Sequence, residues 1–328
     1  MEMTPNSGPK GMQMTIRQMK RDAASILRGR RCQAAGRPED LSMSYWRQSL
    51  HELVRDPLAL TGLAILSVLI TVAILAPFLA PYDPDDIQVD RRMLWPCWDH
   101  PLGTDKFGRD ILSRMIFGAR LSLLMPSIIV ITTLTVGTTV GLVSGFKGGL
   151  VDSLLMRLVD IKSSFPGLLL TLAIIGMLGP GILNAVIAMS ITGWTGYARI
   201  IRGMTLQLRE MEFVDAARCL GASDTYVIFR HILPNVISPV VLLATLNMGG
   251  AILSMAGLGF LGLGAQPPAA EWGSMLSDNR GFMFYAPYLV VVPGMGIMIT
   301  VLAFNLLGDG LRDAMDPKSG RLAEEMRG

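Results

Sequence analysis

Charged residues are absent from five long stretches of the chain, 57–82, 121–146, 163–198, 232–270 and 281–308. A helix needs about 20 apolar residues to cross a hydrocarbon layer of roughly 30 Å. Three of the stretches therefore hold one crossing each. The 163–198 stretch is long enough for two, and Gly179-Pro180-Gly181 cuts it near its middle. The 232–270 stretch opens with Pro234 and closes with Gln266-Pro267-Pro268, which leaves one crossing between them. The pattern predicts an all-α membrane protein with six transmembrane helices. Two long core helices of a soluble protein could imitate one such stretch, but not five in succession.

The polar positions divide the rest. Residues 1–43 are basic, lack apolar periodicity and read as a disordered tail. In 44–57, Trp46, Leu50, Leu53 and Val54 share one helical face away from Arg47, Glu52 and Arg55, as in a helix lying in the headgroup layer. A first span, 58–80, leads to a long loop, 81–120, whose end from Gly108 to Gly118 reads as a second surface helix. Spans two to six occupy 121–311, interrupted by a polar hairpin at 205–235, and a tail at 312–328 follows. Asp152–Lys162 carries Arg157, Asp160 and Lys162, each costing about 2.5–3.5 kcal/mol at mid-bilayer. The third crossing therefore starts near Ser163. Pro126, Pro166, Pro239 and Pro293 fall within the crossings; each removes a backbone donor and marks either a cavity wall or a packing kink.

Composition agrees, since 51% hydrophobic with 17% charged residues is too apolar for an ordinary soluble domain. Of the 29 Lys and Arg, 22 lie in 1–57, 147–162, 199–231 and 308–328. The positive-inside bias puts these segments and both termini in the cytoplasm. Six of the others lie between Arg91 and Arg120, in a loop that also holds seven Asp. No cleavable signal is visible, and the first apolar run reads as a retained anchor. Cys32 and Cys219 fall inside and Cys97 outside, so no disulfide framework is expected.

One cytoplasmic segment is distinctive. Glu212-Phe213-Val214-Asp215-Ala216-Ala217-Arg218-Cys219-Leu220-Gly221 reads as a helix ended by a glycine with positive φ. Ser223 or Asp224 caps a second helix, which carries Phe229, Ile232 and Leu233 as an apolar stripe and stops at Pro234. The residues alone fit a partner-binding hairpin or an ordinary connecting loop equally well. The segment resembles the coupling loop of permeases of ATP-binding-cassette importers: Asp215-Ala216-Ala217, Gly221 and Leu233-Pro234 fall in that motif's register. Asp215 replaces its Glu, and His231 replaces an Ile. His100-Pro101-Leu102-Gly103-Thr104-Asp105, Gly118-Ala119-Arg120-Leu121-Ser122, Phe260-Leu261-Gly262-Leu263-Gly264-Ala265-Gln266-Pro267-Pro268, Glu271-Trp272-Gly273 and Asn305-Leu306-Leu307-Gly308-Asp309-Gly310 resemble the C-type permease subunit of dipeptide/oligopeptide (peptide/nickel) importers. Met255 stands where many relatives have an acidic residue.

The resemblance implies a permease in a bacterial inner membrane, forming half of a pathway with a second, homologous permease chain. It also implies two ATP-binding-cassette ATPase subunits and an extracytoplasmic solute-binding protein. Glu212, Asp215, Ala216, Ala217, Gly221, Phe229, Leu233 and Pro234 would then meet the ATPases. Asp105, Arg109, Asp110 and Arg114 would pack the outer loop and contact the binding protein rather than the solute. The solute could be a dipeptide, an oligopeptide, a glutathione-like peptide or a nickel complex. No catalytic, cofactor or metal site is expected, and no nucleic-acid partner. His51, His100 and His231 are scattered, and no Gly-x-x-x-x-Gly-Lys-Ser/Thr phosphate loop occurs, so ATP would be bound by the partners. A stand-alone ion-coupled transporter would need intramembrane carboxylates, and an intramembrane enzyme paired His or carboxylates; the charge-free stretches hold neither. Glycines 257, 259, 262 and 264 are expected to allow close helix packing.

The topology is testable through the cysteines. In cells whose outer envelope is permeabilised, an impermeant thiol reagent is expected to label Cys97 and to spare Cys32 and Cys219. Labelling of Cys219 from outside would reverse the orientation.

Overall fold

A computed structural model describes residues 53–315. Trp46, Leu50, most of the amphipathic stretch, and the tails at 1–43 and 316–328 lie outside them. Twelve α-helices order the described chain: α1 Pro57–Ile74, α2 Ala76–Leu79, α3 Ile111–Lys147, α4 Gly149–Ser163, α5 Gly167–Leu178, α6 Ile182–Gly193, α7 Thr195–Arg209, α8 Glu212–Cys219, α9 Asp224–Val227, α10 Leu233–Phe260, α11 Trp272–Asn279 and α12 Tyr288–Met315. Among the described residues the only extended pairing is an isolated bridge between Thr104 and Asp110.

Four helical segments are long and apolar enough to cross a membrane: α1, α3, α12 and the continuous run Asp224–Phe260. The α4–α5 pair adds a fifth if it counts as one bent span, turning by 83° at its break. The bend falls where sequence places it, because Ser164 closes α4 and Pro166 is the N-cap residue of α5. Pro166 thus sits at the break, whereas Pro126, Pro239 and Pro293 lie inside α3, α10 and α12. The Gly179–Gly181 cut is also present, with φ of +89° and +156° at its two glycines. Asn184 Nδ2 donates to the carbonyls of Leu178 and Gly179 at 3.0 Å, satisfying groups that the end of α5 leaves open. At 12 residues each, α5 and α6 are about 18 Å long, so neither spans the hydrocarbon layer alone.

Two expectations change. Residues 111–118 form no separate surface helix; they are the first turns of the 37-residue α3, which Asp110 caps by accepting from Ser113 N. Nor does Pro234 stop a helix. A π-helical turn, Ile228–Ile232, joins α9 to α10, and Leu233 N donates to Ile228 O across it. In an α-helix the Pro234 ring would press on the carbonyl four residues back; the wider turn removes that clash.

Lipid supplies no hydrophobic drive between helices, so association depends on close packing. One close contact extends along three turns of α3, where Gly137, Gly141 and Gly145 face α7. A Cβ on these glycines would lie 2.7 Å from Trp194 O, 2.8 Å from Ala198 O and 2.9 Å from Arg202 O, respectively. Gly62 lets α1 approach α12 at Ala303 O in the same way. Of the four glycines singled out by sequence, Gly259 and Gly264 are tightly packed, while Gly257 and Gly262 have open space around them. Polar side chains at depth pair with one another: Thr171 with Thr192 at 2.9 Å, and Thr132 with Ser190 at 2.8 Å.

The connections gather at two ends. At one, Lys106 Nζ donates to Asp278 O at 2.9 Å, and Tyr288 Oη donates to Leu94 O at 2.9 Å. At the other, Arg202 clasps Asp152 with two bonds of 2.6 Å, and Arg209 donates to Phe146 O at 3.1 Å.

The Gly141 contact gives a direct test. Gly141→Ala is expected to destabilise the detergent-purified protein by about 1–3 kcal/mol, as overpacking does. Gly203→Ala, which meets nothing within 4 Å, is expected to leave its thermal midpoint unchanged or raise it.

Candidate functional site

The hairpin is built from its turn outward. Ala222 N donates to Ala217 O at 3.1 Å and Gly221 N to Arg218 O at 2.9 Å, with Gly221 at φ +84°. This pair of bonds is the Schellman ending, which places a left-handed residue after the helix and satisfies its last carbonyls. Ser223 then caps α9 by accepting from Tyr226 N. The glycine and the cap expected from the sequence are both in place.

The hairpin's two sides differ. Val214, Ala217, Val227 and Ile232 face inward and pack with Leu142, Phe146, Tyr197 and Ile201. Facing out are Leu220 at 89%, Phe229 at 65% and Tyr226 at 53% exposure, joined by Met211 and Phe213. The expected stripe of Phe229, Ile232 and Leu233 is therefore split, because Ile232 belongs to the core and Leu233 is half-buried. Glu212, Asp215, Ala216, Gly221 and Pro234 are exposed. Leu220, Tyr226 and Met211 carry much of the apolar surface and were not singled out in the sequence. His231 packs against Tyr226 and Phe213, with ring centroids at 5.7 and 6.2 Å. Arg218 lies over the Phe146 ring at 5.0 Å and holds the hairpin to the end of α3.

At the opposite end, Asp105, Arg109, Asp110 and Arg114 come together, but face inward, at 2–4% exposure. Arg109 Nε donates to Asp105 Oδ2 at 2.7 Å, and Asp105 Oδ1 accepts the Arg109 and Phe107 amides. Arg114 donates to Pro84 O at 2.9 Å, and His100 Nδ1 lies 2.9 Å from Asp110 Oδ1. Their polar atoms are spent on the loop and on Pro268 and Asp278 beside it. The packing role expected of these residues agrees with that burial, and their low exposure leaves little of these side chains for a partner to touch. Glu271 is the other buried carboxylate there. It accepts from Gly273 N and Ser274 N at 2.8 Å, while burial pushes its carboxyl above the usual glutamate range.

Among the described residues, no group of three or more His, Cys, Asp or Glu is placed to hold a metal ion. The described residues present an exposed apolar tip at one end and a braced loop platform at the other.

The profile of the family described as binding-protein-dependent transport system inner membrane component matches residues 137–321. The N-terminal TM domain of oligopeptide transport permease C matches residues 44–96. The chain belongs to the binding-protein-dependent permeases of ATP-binding-cassette importers. Within them it stands with the C-type subunits. It is 46% identical to the dipeptide transport system permease protein DppC of Alkalihalophilus pseudofirmus, over 86% of this chain and 93% of that one. It is 42% identical to the glutathione transport system permease protein GsiD of Pectobacterium atrosepticum (83% and 91% covered) and 44% to GsiD of Escherichia coli O157:H7 (83% and 90%). An inward-facing structure of the MetNI methionine ABC transporter shares the fold at a TM-score of 0.51. It is 18% identical and covers 63% of this chain and 98% of its own.

The buried network predicts a stability effect. Asp105→Ala removes the carboxylate that lies 2.7 Å from Arg109 Nε and 3.9 Å from Arg114 Nε, and is expected to cost about 3–5 kcal/mol, read as a lower thermal midpoint. Asp278→Ala, at a side chain 25% exposed, is expected to cost clearly less.

Proposed function

We propose that this chain is one permease subunit of an ATP-driven, binding-protein-dependent importer and forms half of its pathway with a second permease chain. Two cytoplasmic ATPase subunits and an external solute-binding protein complete the assembly, and the cargo is a dipeptide, an oligopeptide or a related small solute. The names of the DppC and GsiD relatives support that cargo class. The chain contributes a moving wall and no reactive group.

In this reading the chain crosses six times, with both termini in the cytoplasm. The α1, α3, α10 and α12 helices cross singly. Residues 163–181, with α5 at their centre, cross after the bend, and residues 182–198 return. The Gly179–Gly181 loop between them is held by a bond of 3.2 Å from Gly181 N to Leu263 O, which suits irregular backbone near the membrane.

The observation that carries the proposal is the hairpin's outward apolar face, within the region the family profile matches. Leu220, Tyr226 and Phe229 present a knob of the kind that enters a partner's groove. Because α9 continues through the π turn into α10, a push on that knob reaches a membrane-crossing helix directly. Glu212, Asp215, Ala216 and Ala217 flank it on α8, and Leu233 and Pro234 lie at the root.

The test is a substitution at the turn. A side chain at Gly221 meets no neighbour within 4 Å but is held at φ +84°, a strain of about 1–2 kcal/mol and more for a branched residue. In the assembled transporter, Gly221→Val is expected to reach the membrane and lose uptake, with the ATPases either failing to co-purify or hydrolysing ATP without response to solute. Gly262→Val, with similar strain at φ +78° and open space around it, is expected to keep ATPase association. Normal uptake by Gly221→Val would reduce residues 212–234 to a connector.

A further inference from the structure

Between the end of α1 and the start of the α3 crossing lies a cleft of about 350 Å³ lined by Ile70, Ala73, Ile74, Arg120, Leu123, Leu124 and Ser127, whose hydroxyl donates to Leu123 O. Its chemistry is two-part. Ile70, Ile74 and Leu124 form exposed apolar walls, while Ala73, small and buried, forms the floor. Arg120 is the only charge in the lining. It is exposed and has no hydrogen bond, ion pair or ring contact among the described residues.

The position of Arg120 matters. It immediately precedes the charge-free stretch 121–146, and Ile70 and Ile74 lie toward the end of the charge-free stretch 57–82. Arg120 therefore stands at the edge of the hydrocarbon layer, whichever way the chain is inserted. A guanidinium at that depth extends toward the headgroup plane, and its planar fork matches the oxygens of a phosphate better than an ammonium does. An unpaired cation at the mouth of an apolar, lipid-facing cleft is complementary to an amphiphile with an anionic head and hydrocarbon tails.

We propose that this cleft is a site for one membrane phospholipid. Its phosphodiester is bound by Arg120, and the upper part of one acyl chain lies along Ile70, Ile74 and Leu124 over Ala73. The lipid would fill the gap between the first crossing and the rest of the bundle at that level. None of the hairpin residues 212–234 lines this cleft.

The experiment is native mass spectrometry of the full-length protein in mild detergent, as the single chain and as the assembled transporter. The probes are phosphatidylglycerol, diacylglycerol with the same chains, and glycerol 3-phosphate. One phosphatidylglycerol is expected to bind more tightly than further copies, and both partial probes about tenfold more weakly or worse. Arg120→Gln is expected to weaken phosphatidylglycerol about tenfold, the loss of a charge-assisted contact, with Arg120→Lys recovering part of it. Ala73→Leu, which fills the floor, is expected to remove binding from the other end of the site. Equal thermal midpoints of the lipid-free variants would show that the changes are local. The proposal fails if diacylglycerol binds as well, which means an apolar crevice only, or if glycerol 3-phosphate does, which means a free-anion site. It also fails if both variants bind like the wild type, or if assembly with the partner chains expels the lipid.

Discussion

Two helices in hydrocarbon gain nothing by hiding apolar side chains from each other, so what holds them is how closely their backbones approach. In this chain that approach is set by Gly137, Gly141 and Gly145, one turn apart along α3, against which α7 lies almost backbone to backbone. Much else follows from that contact. It brings Arg202 to Asp152, which fixes α4 across the end of α3. It brings Arg209 to the last carbonyls of α3. It also delivers the chain at Glu212 to the place where α8 folds onto Phe146 and Leu142. The hairpin has no core of its own; it borrows one from the α3–α7 seam.

The sequence was most informative where one residue type has one physical use. Gly221 and Ser223 announced a helix ending and a helix start, and both are there. Gly179-Pro180-Gly181 and the charges before Ser163 announced breaks at two boundaries that the structure reproduces. It was less informative where geometry depends on a neighbour. Pro234 looks like a terminator, but a π turn absorbs it, and no local pattern distinguishes the two outcomes. Phe229, Ile232 and Leu233 look like one stripe only if the helix is regular. The same irregular turn separates them, sending Ile232 inward and leaving Leu220 and Tyr226 to complete the outer face. Asp105, Arg109, Asp110 and Arg114 were expected to pack the outer loop, but which partners each would bond needs the loop's fold to be seen. The stripe on α3 was missed for a simpler reason: its three glycines sit among Thr, Val and Leu in a stretch that reads first as a span.

The two ends of the molecule are built differently, and this suits unequal tasks. The loop end is cross-braced by buried ion pairs, a capped α11 and long-range bonds such as Lys106 to Asp278. Such a platform keeps its shape when something lands on it. The hairpin end packs one apolar face onto the α3–α7 seam and turns Leu220, Phe229 and Tyr226 away from the protein. Its turn is set by backbone geometry at one glycine and one serine.

The π turn at Ile228–Ile232 also sets an angular phase. It holds one residue more than an α-helical turn would, and one residue corresponds to about 100° of rotation. The 28 residues of α10 are thereby indexed against the hairpin: Val236, Val240 and Ile252 point to the core only because that extra residue is counted in. Removing a single residue from the turn would leave the composition of the crossing unchanged while rotating its faces by more than a quarter turn. In this chain, spacing within five residues decides which side of a membrane helix meets protein and which meets lipid.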